Sequence, residues 1–134
     1  MKDNLLEKYT ARGTALEDAD LVSDAEDLGA FGFLRGMQAR SVMVELRKRS
    51  GETLAVGYGY IDRILLDPSE GITLCCGTRN IAIKGRNLNK EIRPQVTLFQ
   101  GLTRNRVPWL AEANQATMLQ AQKNAVIIES IRWE

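Results

Sequence analysis

There is no histidine among the 134 residues. That absence removes the commonest general base and the commonest metal ligand. The histidine-dependent triads and most zinc catalysis go with them. Cysteine is nearly absent as well: the only two, Cys75 and Cys76, are adjacent. Neighbours on a strand point to opposite faces, so these two do not bridge each other, and neither a disulfide framework nor a paired-cysteine zinc site is available. No apolar run approaches the length of a membrane span, and the first residues lack the basic-then-apolar order of a secretory signal. The chain therefore reads as cytoplasmic, with no membrane partner. Phosphate-handling fingerprints are missing too: no Walker loop is present, and no glycine-rich dinucleotide motif follows a strand. Aromatic residues make up 6% of the chain, which is thin for a base-stacking platform. Tyr58, Tyr60, Trp109 and Trp133 are the stacking candidates, with core or oligomer interface as the alternative use of each.

What remains is the composition of an ordinary globular protein, 44% hydrophobic and 26% charged, long enough to bury a core as one domain over residues 1–134. The net charge of +1 argues neither for nor against nucleic acid. Its placement is uneven. Residues 1–35 carry four basic residues against eight acidic ones, leaving fourteen against nine for the rest. The split fits a basic binding face with an acidic arm, and equally a solvated amphipathic helix ahead of an ordinary surface.

Residues 1–13 are polar and are expected to be loosely ordered. From Thr14 the pattern turns helical. Thr14 and Glu17 have capping-box spacing, Leu16, Ala19, Val22, Ala25 and Leu28 form an apolar row, and Gly29 is a stop. Val44 and Leu46 then alternate with polar neighbours as a strand, followed by a turn at Arg49-Ser50-Gly51-Glu52. Residues 54–66 read as one long strand bent at Gly57 and Gly59. Asp67-Pro68-Ser69-Glu70-Gly71 is a turn, and residues 72–76 and 81–83 form a hairpin about Gly77-Thr78-Arg79-Asn80. A helix is expected to start near Arg93 or Pro94, with Val96, Phe99 and Leu102 as its buried row and Pro108 at its end. The β-branched run Val126–Ile131 closes the chain as a strand.

The constellation with most chemical content is Lys84-Gly85-Arg86-Asn87. A strand ends, glycine permits a tight turn, and two cations flank it. Asn87 can cap a following turn, leaving backbone amides outward. Amides with a lysine and an arginine make a competent polyanion site, and Lys84, Gly85, Arg86 and Lys90 are its candidate residues. Arg93, Arg104 and Arg106 thicken the patch if the helix folds back. The competing reading is an ordinary turn with solubilising cations. Asp18, Asp20, Asp24, Glu26 and Asp27 are the one dense carboxylate cluster. They lack the central glycine and distal glutamate of a calcium loop, so no metal or cofactor is expected.

Two resemblances follow from these residues. Val44-Glu45-Leu46, Gly51, Gly57 and Asp62, followed by Ile83-Lys84-Gly85, resemble the two motifs of the Sm-like family of small RNA-binding barrels over residues 14–88. The resemblance implies an N-terminal helix before five strongly bent strands, and RNA contact through Lys84 and Gly85; a homo-oligomer is expected separately, because the edges of so small a sheet are exposed and pairing them between subunits covers them. It does not extend to the family's base-reading asparagine, since Asp62 is followed by Arg63-Ile64-Leu65. Residues 60–134 resemble a group of small uncharacterised bacterial proteins, which implies no activity.

The expected fold is therefore α+β: an N-terminal helix and a five-stranded strongly bent antiparallel sheet or small barrel over 14–88, then a helix and a returning C-terminal strand over 89–134. The expected function is a non-catalytic, homo-oligomeric binding module for single-stranded RNA or another polyanion. The alternative is a protein-interaction or scaffold subunit engaged through the acidic helix or an open strand edge. An enzyme using carboxylates without histidine is the third possibility.

Overall fold

Period-two alternation outweighs helical periodicity over the residues the structure describes. The computed structural model describes residues 25–36 and 38–133, and over these the protein is mostly β. Strands β1 (Ala25–Asp27) and β2 (Gly32–Leu34) form a small hairpin. Strands β3 (Met43–Arg47), β4 (Thr53–Gly57) and β8 (Trp109–Ala111) form a second sheet in the order β4-β3-β8, with β8 parallel to β3. Strands β5 (Arg63–Asp67), β6 (Gly71–Cys76), β7 (Arg79–Arg86) and β9 (Ile127–Trp133) form an antiparallel sheet in that order. Two six-residue α-helices, α1 (Leu98–Thr103) and α2 (Gln115–Gln120), and a 3-10 turn at Tyr58–Tyr60 complete the elements among the described residues.

The alternation explains the layering. Val44 and Leu46 of β3, Ile72 and Leu74 of β6, Ile81 and Ile83 of β7, Leu110 of β8 and Ile131 of β9 are all buried. They meet Phe31, Phe33, Leu98 and Leu102 in one apolar cluster. The two larger sheets are sewn together by Glu112, just past β8. Its carboxylate accepts the Arg49 N–H and the Ile131 N–H, each at 2.7 Å. Arg49 in turn donates to the carbonyls of Ala113 and Glu129 at 2.8 and 2.9 Å. The outer edge of β9 is thereby closed.

The expected α+β class with a single five-stranded sheet is corrected to a mostly β fold in three sheets. Three physical causes are visible. First, the expected helix running from Thr14 does not extend through Ala25–Asp27, which pair with Gly32–Leu34 as a strand. Tertiary pairing overrides the helical spacing there. Its earlier part, with the Thr14 cap, and residues 1–13 lie outside the described residues. Second, the one long strand expected over 54–66 is broken by a 3-10 turn at Tyr58–Tyr60. Tyr58 turns into the core, where its hydroxyl donates to the Val107 carbonyl at 2.6 Å. Burial pushes its phenol above the usual tyrosine range. The break leaves β4 and β5 in different sheets. Third, the helix expected from Arg93 or Pro94 begins only at Leu98. Gln95 sits at φ +68, outside the helical region, and Thr97 is the true cap, accepting the Gln100 N–H at 3.1 Å. The terminal strand does return to the domain's own sheet, beside β7.

Candidate functional site

The basic corner sits where β7 leaves its sheet. A register shift falls between Lys84 and Gly85, with Lys84 facing Ser130 and Gly85 facing Ile128. Glu129 is thus the extra residue of a β-bulge on β9. Gly85 is required at that point, because a Cβ there would collide with the Ile127 carbonyl oxygen. Three of the cations and amides in the corner are turned to the chain itself. Arg86 pairs with the bulged Glu129 at 3.1 Å and donates to the Met118 carbonyl at 3.3 Å. Asn87, at φ +57, donates to the carbonyls of Lys123 and Ala125 at 3.1 and 2.8 Å. Lys90 donates to the Asn124 carbonyl at 2.8 Å. These bonds hold the segment between α2 and β9. Asn87 does not free its neighbours' amides for a ligand, since its side chain is spent on that segment and its own carbonyl accepts the Lys90 N–H.

A cleft of about 330 Å³ opens beside the corner, lined by Gly85, Asn87, Leu88 and Lys90 on one side and by the Asp67–Ser69 turn on the other. It is electrostatically mixed. Two Ser69 donors, the backbone N–H at 2.9 Å and the hydroxyl at 2.8 Å, hold the Asp67 carboxyl below the usual aspartate range. An anion entering the cleft meets that carboxylate.

Lys84 behaves differently. It is exposed on the outer face of the β5-β6-β7-β9 sheet and makes no hydrogen bond or ion pair among the described residues. The register shows what shares that face. Ala82 stands opposite Arg132 and Thr73, and Thr73 opposite Leu65. Alternation then adds Arg63 and, at the far end, Asp67 on β5, and Lys84 on β7. Arg63 and Arg132 are exposed and likewise without a partner among the described residues. The face therefore presents three available cations around a low centre of Thr73 and Ala82, with Leu65 51% exposed beside them. Strand spacing of about 4.8 Å sets Arg63 and Arg132 roughly 14 Å apart across the sheet. Sequence reading found Lys84 and missed Arg63 and Arg132. Their strand alternation was readable, but which strands are neighbours was not.

The other residues named from sequence lie apart. Arg93 forms a two-point pair with Glu26 of β1, which holds the Glu26 carboxyl below its usual range. Arg104 and Arg106 line a different depression, with Phe33, Pro94 and Gln100. Arg106 is also bonded to the Leu34 carbonyl at 2.7 Å. Trp109 and Trp133 are half-buried under the guanidinium of Arg47 and the ammonium of Lys48. Tyr60, 78% exposed, is the open aromatic of the four. Cys75 is buried, and burial together with Asp62 raises the Cys76 thiol. Asp18, Asp20 and Asp24 lie outside the described residues, while Glu26 and Asp27 are in β1; no group able to hold a metal ion forms among the described residues. None of their helices is long and apolar enough to cross a membrane.

Compared with protein-family models, with curated proteins and with solved structures, the chain matches none.

Proposed function

We propose that this protein is a non-catalytic, homo-oligomeric binding module for single-stranded RNA or another polyanion, and that the ligand lies on the outer face of the four-stranded sheet. One observation carries the reading: Arg63, Lys84 and Arg132 converge on that face, and none of them is hydrogen-bonded or ion-paired among the described residues. Cations left unpaired on one surface are the electrostatic footprint of phosphate recognition. The Sm-like likeness of Ile83-Lys84-Gly85 supports the same ligand class. Gly85, Arg86 and Lys90 serve by fixing the strand end that presents Lys84.

The test is binding of fluorescently labelled single-stranded RNA across a salt series. With three phosphate contacts the logarithm of affinity falls against the logarithm of salt with a slope of roughly −2. Lys84→Glu with Arg132→Glu abolishes binding and leaves thermal stability nearly unchanged. Undiminished binding in that variant rejects the site.

A second reading, a protein-interaction or scaffold subunit, is favoured by the open outer edge of β4, which carries no charged residue. In that case the purified protein shows no nucleic-acid absorbance and binds no RNA at low salt.

A further inference from the structure

Of the four outer strand edges in the two larger sheets, two are covered among the described residues. The outer edge of β9 is covered by Glu112, Ala113 and Arg49. The outer edge of β8 is held by Ala30 and Phe31. On β5 the edge is flanked by charge at both ends, Arg63 and Asp67. On β4 nothing of the kind is present among the described residues. Thr53-Leu54-Ala55-Val56-Gly57 is five residues of open, uncharged strand. Natural sheets rarely leave such an edge without a charge, a proline or a cover.

The direction of its backbone groups follows from its neighbour. The Glu45 N–H donates to Pro108 and the Arg47 carbonyl accepts from Glu112, both on the β8 side. Glu45 and Arg47 stand opposite Ala55 and Thr53. In an antiparallel pair both residues point their groups inward or both point them outward. Thr53, Ala55 and, by alternation, Gly57 therefore aim N–H and C=O out along the free edge. Leu54 and Val56 spend theirs on β3.

We infer that β4 is a self-pairing edge and that two copies join across it, antiparallel about a two-fold axis at Ala55. The inference rests on the homo-oligomer reading above and names its interface. A second copy fits because the outward groups recur at 53, 55 and 57, so the edge is its own complement. Ala55 faces Ala55 of the second copy and Thr53 faces Gly57, giving about six backbone hydrogen bonds, two per facing pair. Leu54 and Val56, left half-buried at the rim of the core, then stand opposite Val56 and Leu54 of the second copy. The exposed Tyr60 ring, which lies against the Gly57 backbone, meets Thr53 of the second copy.

The geometry supplies its own discriminating variant. Proline at 55 removes an N–H that no described residue accepts, so Ala55→Pro is expected to leave the fold intact while blocking the pair. Light scattering is expected to show the wild type as a dimer or a multiple of one, and Ala55→Pro at half that mass with its circular dichroism unchanged. Oxidation is the register test. Ala55→Cys is expected to cross-link, since facing α-carbons stand about 5.5 Å apart. Thr53→Cys is not, because its two copies are roughly 13 Å apart in this register. The wild type, with Cys75 and Cys76, is the control under the same oxidant. A wild type that runs as a monomer defeats the homo-oligomer reading and this inference together. A dimer that survives Ala55→Pro, or equal cross-linking of the two cysteine variants, overturns the β4 edge alone.

Discussion

Lys84 and Arg86 stand two residues apart on one strand and do opposite things. Arg86 is tied to Glu129 and Met118, and with Asn87 and Lys90 it holds the segment leading into β9. Lys84 points onto an open sheet face beside Arg132 and leaves its charge to solvent. Local charge density is the same in both places. What differs is what the chain brings opposite each side chain. A carbonyl-rich segment arrives from more than thirty residues away and takes up the corner. On the sheet face the cross-strand neighbours are serine, alanine and threonine, which take up nothing. The corner thus acts as structure and the face as surface, and substitutions should separate the two.

The largest effect is expected at the corner's backbone. Gly85→Ala drives a methyl group into the Ile127 carbonyl and the neighbouring Ile128 backbone, with no flexible side chain to yield. A loss of about 3 kcal/mol or more is expected from calorimetry or urea unfolding, at the upper end of ordinary overpacking. If Gly85→Ala unfolds at the wild-type midpoint, the bulge is not the fixed point of the corner.

Next comes Asn87. Its two side-chain hydrogen bonds and its left-handed backbone are separable. Asn87→Ala loses both and should cost about 2 kcal/mol; Asn87→Gly keeps the backbone conformation and should cost about 1 kcal/mol less. Equal losses for the two variants assign the whole effect to the hydrogen bonds.

These positions also mark what could be read in advance. The β3 alternation, the turns at Ser50-Gly51 and at Asp67–Gly71, and the β-branched terminal strand are local signals, and each appears where residue type placed it. The parallel pairing of β8 with β3 is not local: it joins Glu45 to Trp109, and three residues carry too little periodicity to announce it. The break at Tyr58–Tyr60 is hidden for a similar reason, since only the distant Val107 carbonyl makes burying that tyrosine favourable. For the candidate site, the glycine and the cations were legible as a cluster. Which cations are spent was not, because Arg86 and Lys90 find backbone carbonyls 32 and 34 positions along the chain, and Arg86 finds the Glu129 carboxylate farther on still.

The face should respond in the opposite sense to the corner. Lys84→Ala with Arg132→Ala removes no bond among the described residues. Its stability should stay within about 0.5 kcal/mol of wild type, while its salt slope for single-stranded RNA falls by roughly 1.4, two contacts' worth. A stability loss comparable to that of Asn87→Ala would place these cations with the corner and erase the contrast.

The smallest effect is one of pH, at the acidic wall of the corner cleft. Ser69 holds the Asp67 carboxyl below its ordinary 3.8 in the folded protein. A depressed carboxylate contributes stability that is present above the unfolded value and disappears as pH falls through the folded one. Asp67→Asn should therefore lower the melting temperature slightly at neutral pH. The gap to wild type should close below pH 3.8, as the native carboxylate takes up its proton. The same substitution removes the one carboxylate lining that cleft. If RNA affinity rises with Asp67→Asn as much as it falls with Lys84→Glu, the ligand runs over the corner as well as the face. An unchanged affinity keeps the phosphates toward Arg63 and Arg132, because the carboxylate at the Asp67 end of the face would then be beyond a Debye length of about 8 Å and would not be felt.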